Sequence, residues 1–273
     1  MTTVATPDAS QTAYRANDIT ITNAVDRWIF VFMAVFFIAI TLTGFVPDSI
    51  EKLAAVEAGQ RAPFPLVMHF HAVLMGTFLL LLLAQTTLAA TGNLQYHRRL
   101  GVAASIVAPA LVVAGFFLVP AIYQQVWGGM QVAPIEARGE LQGLLLLLDD
   151  IMLAQIRIGI LFSIFMFIAY RARLTDPGLH KRMMFLAVAI ALPAAFDRMT
   201  WLPTTMPGSP LTIELYVLVA LAPMFIWDVL RTRTVHKAYW IWLALMVPTS
   251  IAMFALWDTD WWHAMAPKIV GVA

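Results

Sequence analysis

Apolar residues come in seven long runs separated by short polar stretches, at about 28–46, 65–90, 100–122, 144–170, 183–202, 211–230 and 238–257. Each run is close to the ~20 residues that cross a ~30 Å hydrocarbon core as a helix. The pattern predicts an all-α, polytopic membrane bundle of seven transmembrane helices. A polar tail (1–26) precedes the bundle (27–258), and a short tail (259–273) follows it. The first tail has no apolar stretch of the kind a cleaved signal needs, and it is read as a surface segment. Pro109, Pro193 and Pro223 fall inside the third, fifth and sixth runs. Neighbouring helices in a bundle can satisfy the carbonyls that such prolines free. Outside loops are expected at about 48–64 and 123–140.

Composition agrees with lipid as the main solvent. The chain is 61% hydrophobic and 12% charged, where a soluble domain carries about a quarter charged residues. Lys and Arg then set the orientation. Arg15, Arg27, Arg98, Arg99, Arg171, Arg173, Lys181, Arg182, Arg231, Arg233 and Lys237 share one side, against Lys52, Arg61, Arg138 and Lys268 on the other. The positive-inside bias puts the N-terminus in the cytoplasm and the C-terminus in the periplasm. The basic residues are spread over short loops and the net charge is +1, so nothing points to nucleic acid. The partners expected are the bilayer, anionic lipid headgroups and other membrane subunits. The absence of cysteine excludes disulfides, thiol nucleophiles and Cys-ligated metal clusters.

Charged groups inside the runs carry the candidate chemistry, because ionised groups facing lipid cost several kcal/mol each and usually pair or line a cavity. At ~1.5 Å rise per residue, Arg157 lies about 21 Å above Arg171, Asp197 about 22 Å above Arg182, and Glu214 about 25 Å above Arg231. His71 and Asp150 come out higher, at about 28 and 31 Å. The expectation is one polar layer in the outer half, with His71, Asp150, Arg157, Asp197, Arg198 and Glu214 around a site open to the periplasm. Arg157 and Asp197, on consecutive antiparallel spans, are expected to pair. In His69-Phe70-His71 only one histidine can face the bundle, because residues two apart on a helix point about 200° from each other. Gln85 shares the face of His71, so His71 is expected inside and His69 at the interface.

Three turns carry a histidine beside a base: GNLQYHRRLG (92–101), LTDPGLHKRMM (174–184) and RTRTVHKAY (231–239). They predict a cytoplasmic rim of His97, Arg99, His180, Arg182, Asp228 and His236 that suits phosphate headgroups. A transition metal could take His71 with Asp149, Asp150 or Glu214 as donors. Haem b could use two of the rim histidines, or His71 with His263 or a methionine. His71 and His97 cannot share one haem, since they are about 39 Å apart along helix. No GxSxG, HExxH or phosphate-binding glycine loop is present, so no enzyme class is assigned.

The segments FHAVLMGTFLLLLLAQTTLAATGNLQYHRRLGVAA (70–104), DDIML (149–153), LHKRMMFLA (179–187) and WDVLRTRTVHKAYW (227–240) resemble a group of uncharacterised bacterial multi-pass membrane proteins. The match runs over roughly 65–245, at His71, Gln85, His97, Asp150, His180, Lys181, Arg182, Asp228 and His236, and departs at Met183, where the group has Leu. The resemblance implies a bacterial inner-membrane location and no transferable activity. A fainter similarity to cytochrome b561-like proteins rests on histidines at helix ends. Seven spans with an inside N-terminus are also shared with membrane zinc hydrolases of the haemolysin III and adiponectin-receptor type. Their late HxxxH is missing here, so that activity is not carried over. Three functions stay open: a binding or transport protein for a small molecule, an ion or a proton-coupled substrate; a haem or metal redox protein; and an accessory subunit of a larger complex.

Overall fold

The structure, a computed structural model, describes residues 9–272, with side chains from residue 24 onward. Among the described residues there are nine helices and no strand: α1 (Ala9–Glu57), α2 (Leu66–Ala90), α3 (Leu94–Val132), α4 (Ile135–Ala172), α5 (Pro177–Ala189), α6 (Pro193–Phe196), α7 (Leu211–Thr232), α8 (Lys237–Leu256) and α9 (Asp260–Ile269). Seven segments are long and apolar enough to cross a membrane: Ala24–Glu57, Leu66–Ala90, Leu94–Val132, Ile135–Ala172, Pro177–Phe196, Leu211–Thr232 and Lys237–Leu256. The chain is a multi-pass helical membrane protein. Residues 1–8 of the expected N-terminal tail lie outside the described residues. From Ala9 the backbone is helical and runs without a break into the first span.

Three hairpin turns, α2–α3, α4–α5 and α7–α8, lie at one end of the bundle. This basic end carries Arg98, Arg99, Arg171, Arg173, Arg231 and Arg233. The α7–α8 turn passes through Arg233 in the left-handed region, at φ 55°. The opposite end holds the α1–α2, α3–α4 and α6–α7 connections, and α9 folds over it.

The span Pro177–Phe196 is the most deeply buried of the seven and forms the axis of the bundle. It starts cleanly because Asp176 accepts the Leu179 N–H at 2.9 Å and Pro177 occupies the first turn, where its missing N–H costs nothing. It stops early because Pro193 removes a donor and clashes with the preceding turn. Ile190–Leu192 becomes a turn and α6 is a single helical turn. The fifth span therefore sits six residues nearer the N-terminus than the apolar run of 183–202 predicts. The chain beyond Asp197 is irregular up to α7. Phe37, Phe165, Phe185, Met183, Leu186 and Met224 pack around this axis without exposure or nearly so.

The expected loop at 123–140 is almost entirely helical. α3 and α4 run to 39 and 38 residues, about 58 Å each, and only Ala133 and Pro134 separate them. Both helices overshoot a ~30 Å core, and the overshoot builds a second, smaller core. In it Tyr123, Leu145 and Met152 pack with Trp262, Ala266 and Val270 of α9. The predicted C-terminal tail is thus a folded cap. Thr259 starts α9 by accepting the Trp262 N–H, and Gln124 holds its end by donating to the Val270 carbonyl at 2.9 Å.

Candidate functional site

The capped end gathers three carboxylates and an imidazole. Asp149 and Asp150 stand side by side on α4, 2% and 4% exposed. Trp257 ends α8, and Asp258 then turns the chain through φ 55°. Non-glycine residues adopt that region rarely, and Asp is among those that tolerate it. The turn lets the Asp258 N–H donate to Asp150 Oδ1 at 2.9 Å. It also aims α9 back across α4, where Trp262 Nε1 donates to the Asp149 carbonyl at 2.7 Å. His263, one residue on, places Nδ1 3.0 Å from Asp149 Oδ2 and Nε2 3.4 Å from Asp258 Oδ1.

The electrostatics are unusual for two buried carboxylates. Among the described residues neither Asp149 nor Asp150 makes an ion pair with Lys or Arg; the one basic partner is His263. Asp149 Oδ1 is buried with no partner at direct hydrogen-bond geometry, and the buried phenol of Tyr123 stands beside the carboxylate. Burial lowers the proton affinity of His263, but Asp149 and Asp258 outweigh it, and its pKa lies above the ordinary histidine value. One ligand atom from each of Asp150, Asp258 and His263 lies within 4.8 Å of the others. The Asp258 side chain is 74% exposed, so this group opens outward.

The other residues of the expected outer layer go elsewhere. Arg157 pairs with Glu214, not with Asp197. Its Nη1 and Nη2 reach Glu214 Oε1 and Oε2 at 2.8 and 2.9 Å, and it also donates to Thr249 at 3.2 Å and Ser250 at 2.7 Å. The guanidinium is saturated, and it ties α4, α7 and α8 together. Asp197 is exposed, because the break at Pro193 carries it out of the span. Arg198 bonds Asp48 of α1 at 3.2 Å, and Lys52 joins the same carboxylate at 2.7 Å. His71 lies against α3 at Gly115, its Nδ1 buried without a partner. His69 is exposed, edge-on to Phe64.

At the basic end the rim residues form two groups around the start of α5. Arg182 grips Asp228 through two 2.6 Å contacts, and Tyr239 donates to Asp228 Oδ2 at 2.6 Å. His236 accepts the Ala238 N–H and so caps α8. Burial and the nearby Arg182 hold its pKa below the ordinary range. A Cβ on Gly178, in the first turn of α5, would lie 3.3 Å from His236 Nε2 and 3.5 Å from Arg182 Nη1, so the two side chains close tightly over this glycine. In the second group, His97 and His180 meet with ring centroids 6.5 Å apart. Their Nδ1 atoms are held by the carbonyls of Gln85 (3.1 Å) and Ala169 (2.8 Å). Arg99 is exposed beside Tyr96 and joins neither group. A cavity of about 270 Å³ opens beside Lys181, Arg182, Arg231, Asp26 and Trp227.

Sequence reasoning did not find Asp258, and it considered His263 only as a haem ligand. Both lie past the last apolar run, in WDTDWWH. The signal was the Thr259 cap followed by Trp262 and His263 at helical spacing. A scan against protein-family models and searches of the curated proteins and the solved structures found no match.

Proposed function

We propose that this chain is a binding or transport-type protein of the bacterial inner membrane that takes up a small cation at its periplasmic end. The carrying observation is the Asp149–Asp150 pair. Two adjacent carboxylates, nearly without exposure, lack any Lys or Arg partner among the described residues. Buried charges that persist are paired or coordinate a metal. Here the neighbours are neutral donors and one imidazole, so a cation completes the charge balance. The eleven-to-four Lys/Arg bias of the sequence supports a cytoplasmic basic end and a periplasmic capped end. In this reading Arg157 and Glu214 support the bundle, and neither they nor His71 and Asp197 line the site.

Thermal unfolding of the chelator-treated, detergent-purified protein tests this against chlorides of sodium, potassium, magnesium, calcium, manganese and zinc. Ligands that bind the native state raise the midpoint. At least one cation should do so in the wild type and not in Asp150→Asn, which keeps the acceptor for the Asp258 N–H. No response to any cation, or an equal response in the variant, would remove the proposal.

A second reading, a b-type haem at the basic end, has one observation in its favour. His97 and His180 stand side by side with each Nδ1 held by a main-chain carbonyl, an arrangement that leaves Nε2 for a metal. Haem bound there would supply one-electron chemistry. A Soret band lost in His97→Ala and His180→Ala would support it, and a featureless spectrum after haem loading would dismiss it.

A further inference from the structure

Resting on the reading of the capped end as a cation site, we infer that its ligand is a divalent transition metal of the zinc or cobalt type, held by Asp150, Asp258 and His263. Four observations bear on the identity. The first is the donor set, one imidazole and two carboxylates. Calcium and magnesium take oxygen ligands almost exclusively, whereas imidazole suits zinc and its neighbours.

The second is distance. Nitrogen and oxygen ligands bind such ions at about 2.0–2.2 Å, so two ligands of one ion lie no more than about 4.4 Å apart. The three atoms here lie within 4.8 Å of one another. The His263 Nε2–Asp258 Oδ1 separation of 3.4 Å already falls inside that limit.

The third is the support behind the ligands. His263 turns Nδ1 toward Asp149 Oδ2 at 3.0 Å. Metal-bound histidines almost always donate their second N–H to a carboxylate or carbonyl, which fixes the tautomer and leaves the other nitrogen for the metal. His263 Nε2 faces Asp258 Oδ1, the side on which an ion would sit. Asp149 thus acts as a positioning residue. Its second oxygen, Oδ1, has no partner at direct hydrogen-bond geometry although the residue is 2% exposed.

The fourth is charge and openness. Asp150 and Asp258 together neutralise a dication. Three protein ligands leave a coordination position for water or an incoming group, as in open zinc sites.

The experiment uses the full chain in detergent, stripped with chelator, reloaded with zinc, manganese, cobalt, calcium or magnesium, and dialysed before metal is counted by mass spectrometry. The wild type should retain about one equivalent of zinc or cobalt, and cobalt should give a visible ligand-field band. His263→Gln and Asp258→Asn should lose the band. Asn tolerates the left-handed backbone of position 258 as well as Asp does, so that variant keeps the fold. Asp149→Asn should retain the band and weaken zinc binding by about 10–100-fold. Calcium or magnesium held as tightly as zinc, with His263→Gln unaffected, would overturn the transition-metal assignment and leave the cation site standing. No retention of any ion would overturn both.

Discussion

Arg157 shows what residue-scale reading of a membrane sequence can and cannot do. Its place in a lipid-embedded run demands a partner, and the structure supplies one with two hydrogen bonds, from Glu214. The sequence pointed to Asp197 because depth along a helix was the available coordinate. Depth says nothing of which helix lies across the bundle, nor that a proline four residues earlier ejects Asp197 to the surface. The pair is 8% and 14% exposed, so breaking it leaves a charge with little solvent. Arg157→Gln or Glu214→Gln should each cost ~3–5 kcal/mol. The double variant should recover part of that loss, and Asp197→Asn should change little. Chemical unfolding of the four proteins reads the cycle. Strictly additive losses for Arg157 and Glu214 would show that the pair does not act as a unit.

At the scale of elements, the apolar runs located six of the seven spans well and misplaced the fifth, whose cap at Asp176 and break at Pro193 compete with hydropathy. They also ended α1 and α3 too soon and began α4 too late. Hydropathy marks what lies in lipid, not where a helix stops, and the two-residue turn Ala133–Pro134 hides inside the longer loop that polarity predicts. α9 was hidden for a related reason: it is short and half polar, and it crosses nothing. One close approach was equally invisible. A Cβ at Gly44 of α1 would overlap the Ala195 carbonyl oxygen of α6, a backbone atom that cannot rotate aside. Gly44→Ala should therefore push α1 away from α6 and destabilise the protein by about 1–3 kcal/mol. Gly76→Ala, where nothing lies within 4 Å of the added atom, serves as the matched control. Equal unfolding midpoints for the two variants would contradict the packing described.

For the whole molecule, class and number of spans were legible because the bilayer imposes one length and one solvent on every span. The site was legible only in part. Asp149 and Asp150 stood out as acids near the outer end of a span. The residues that complete the group, Asp258 and His263, come from a segment more than a hundred positions later, and the fold of α9 over α4 brings them together. A cytoplasmic basic end predicts that reporter fusions after residues 95, 176 and 234 all report cytoplasm. A periplasmic signal from any of them would turn the bundle over and place the acid–histidine group on the wrong side.

The central claim is that this group binds a metal ion between α4 and α9. Its most direct test is anomalous scattering from crystals of the intact protein soaked in cobalt or zinc. The account predicts a peak about 2.0–2.2 Å from oxygens of Asp150 and Asp258 and from His263 Nε2, absent in Asp150→Asn. Ordered metal at other positions, with none between these three side chains, would contradict it.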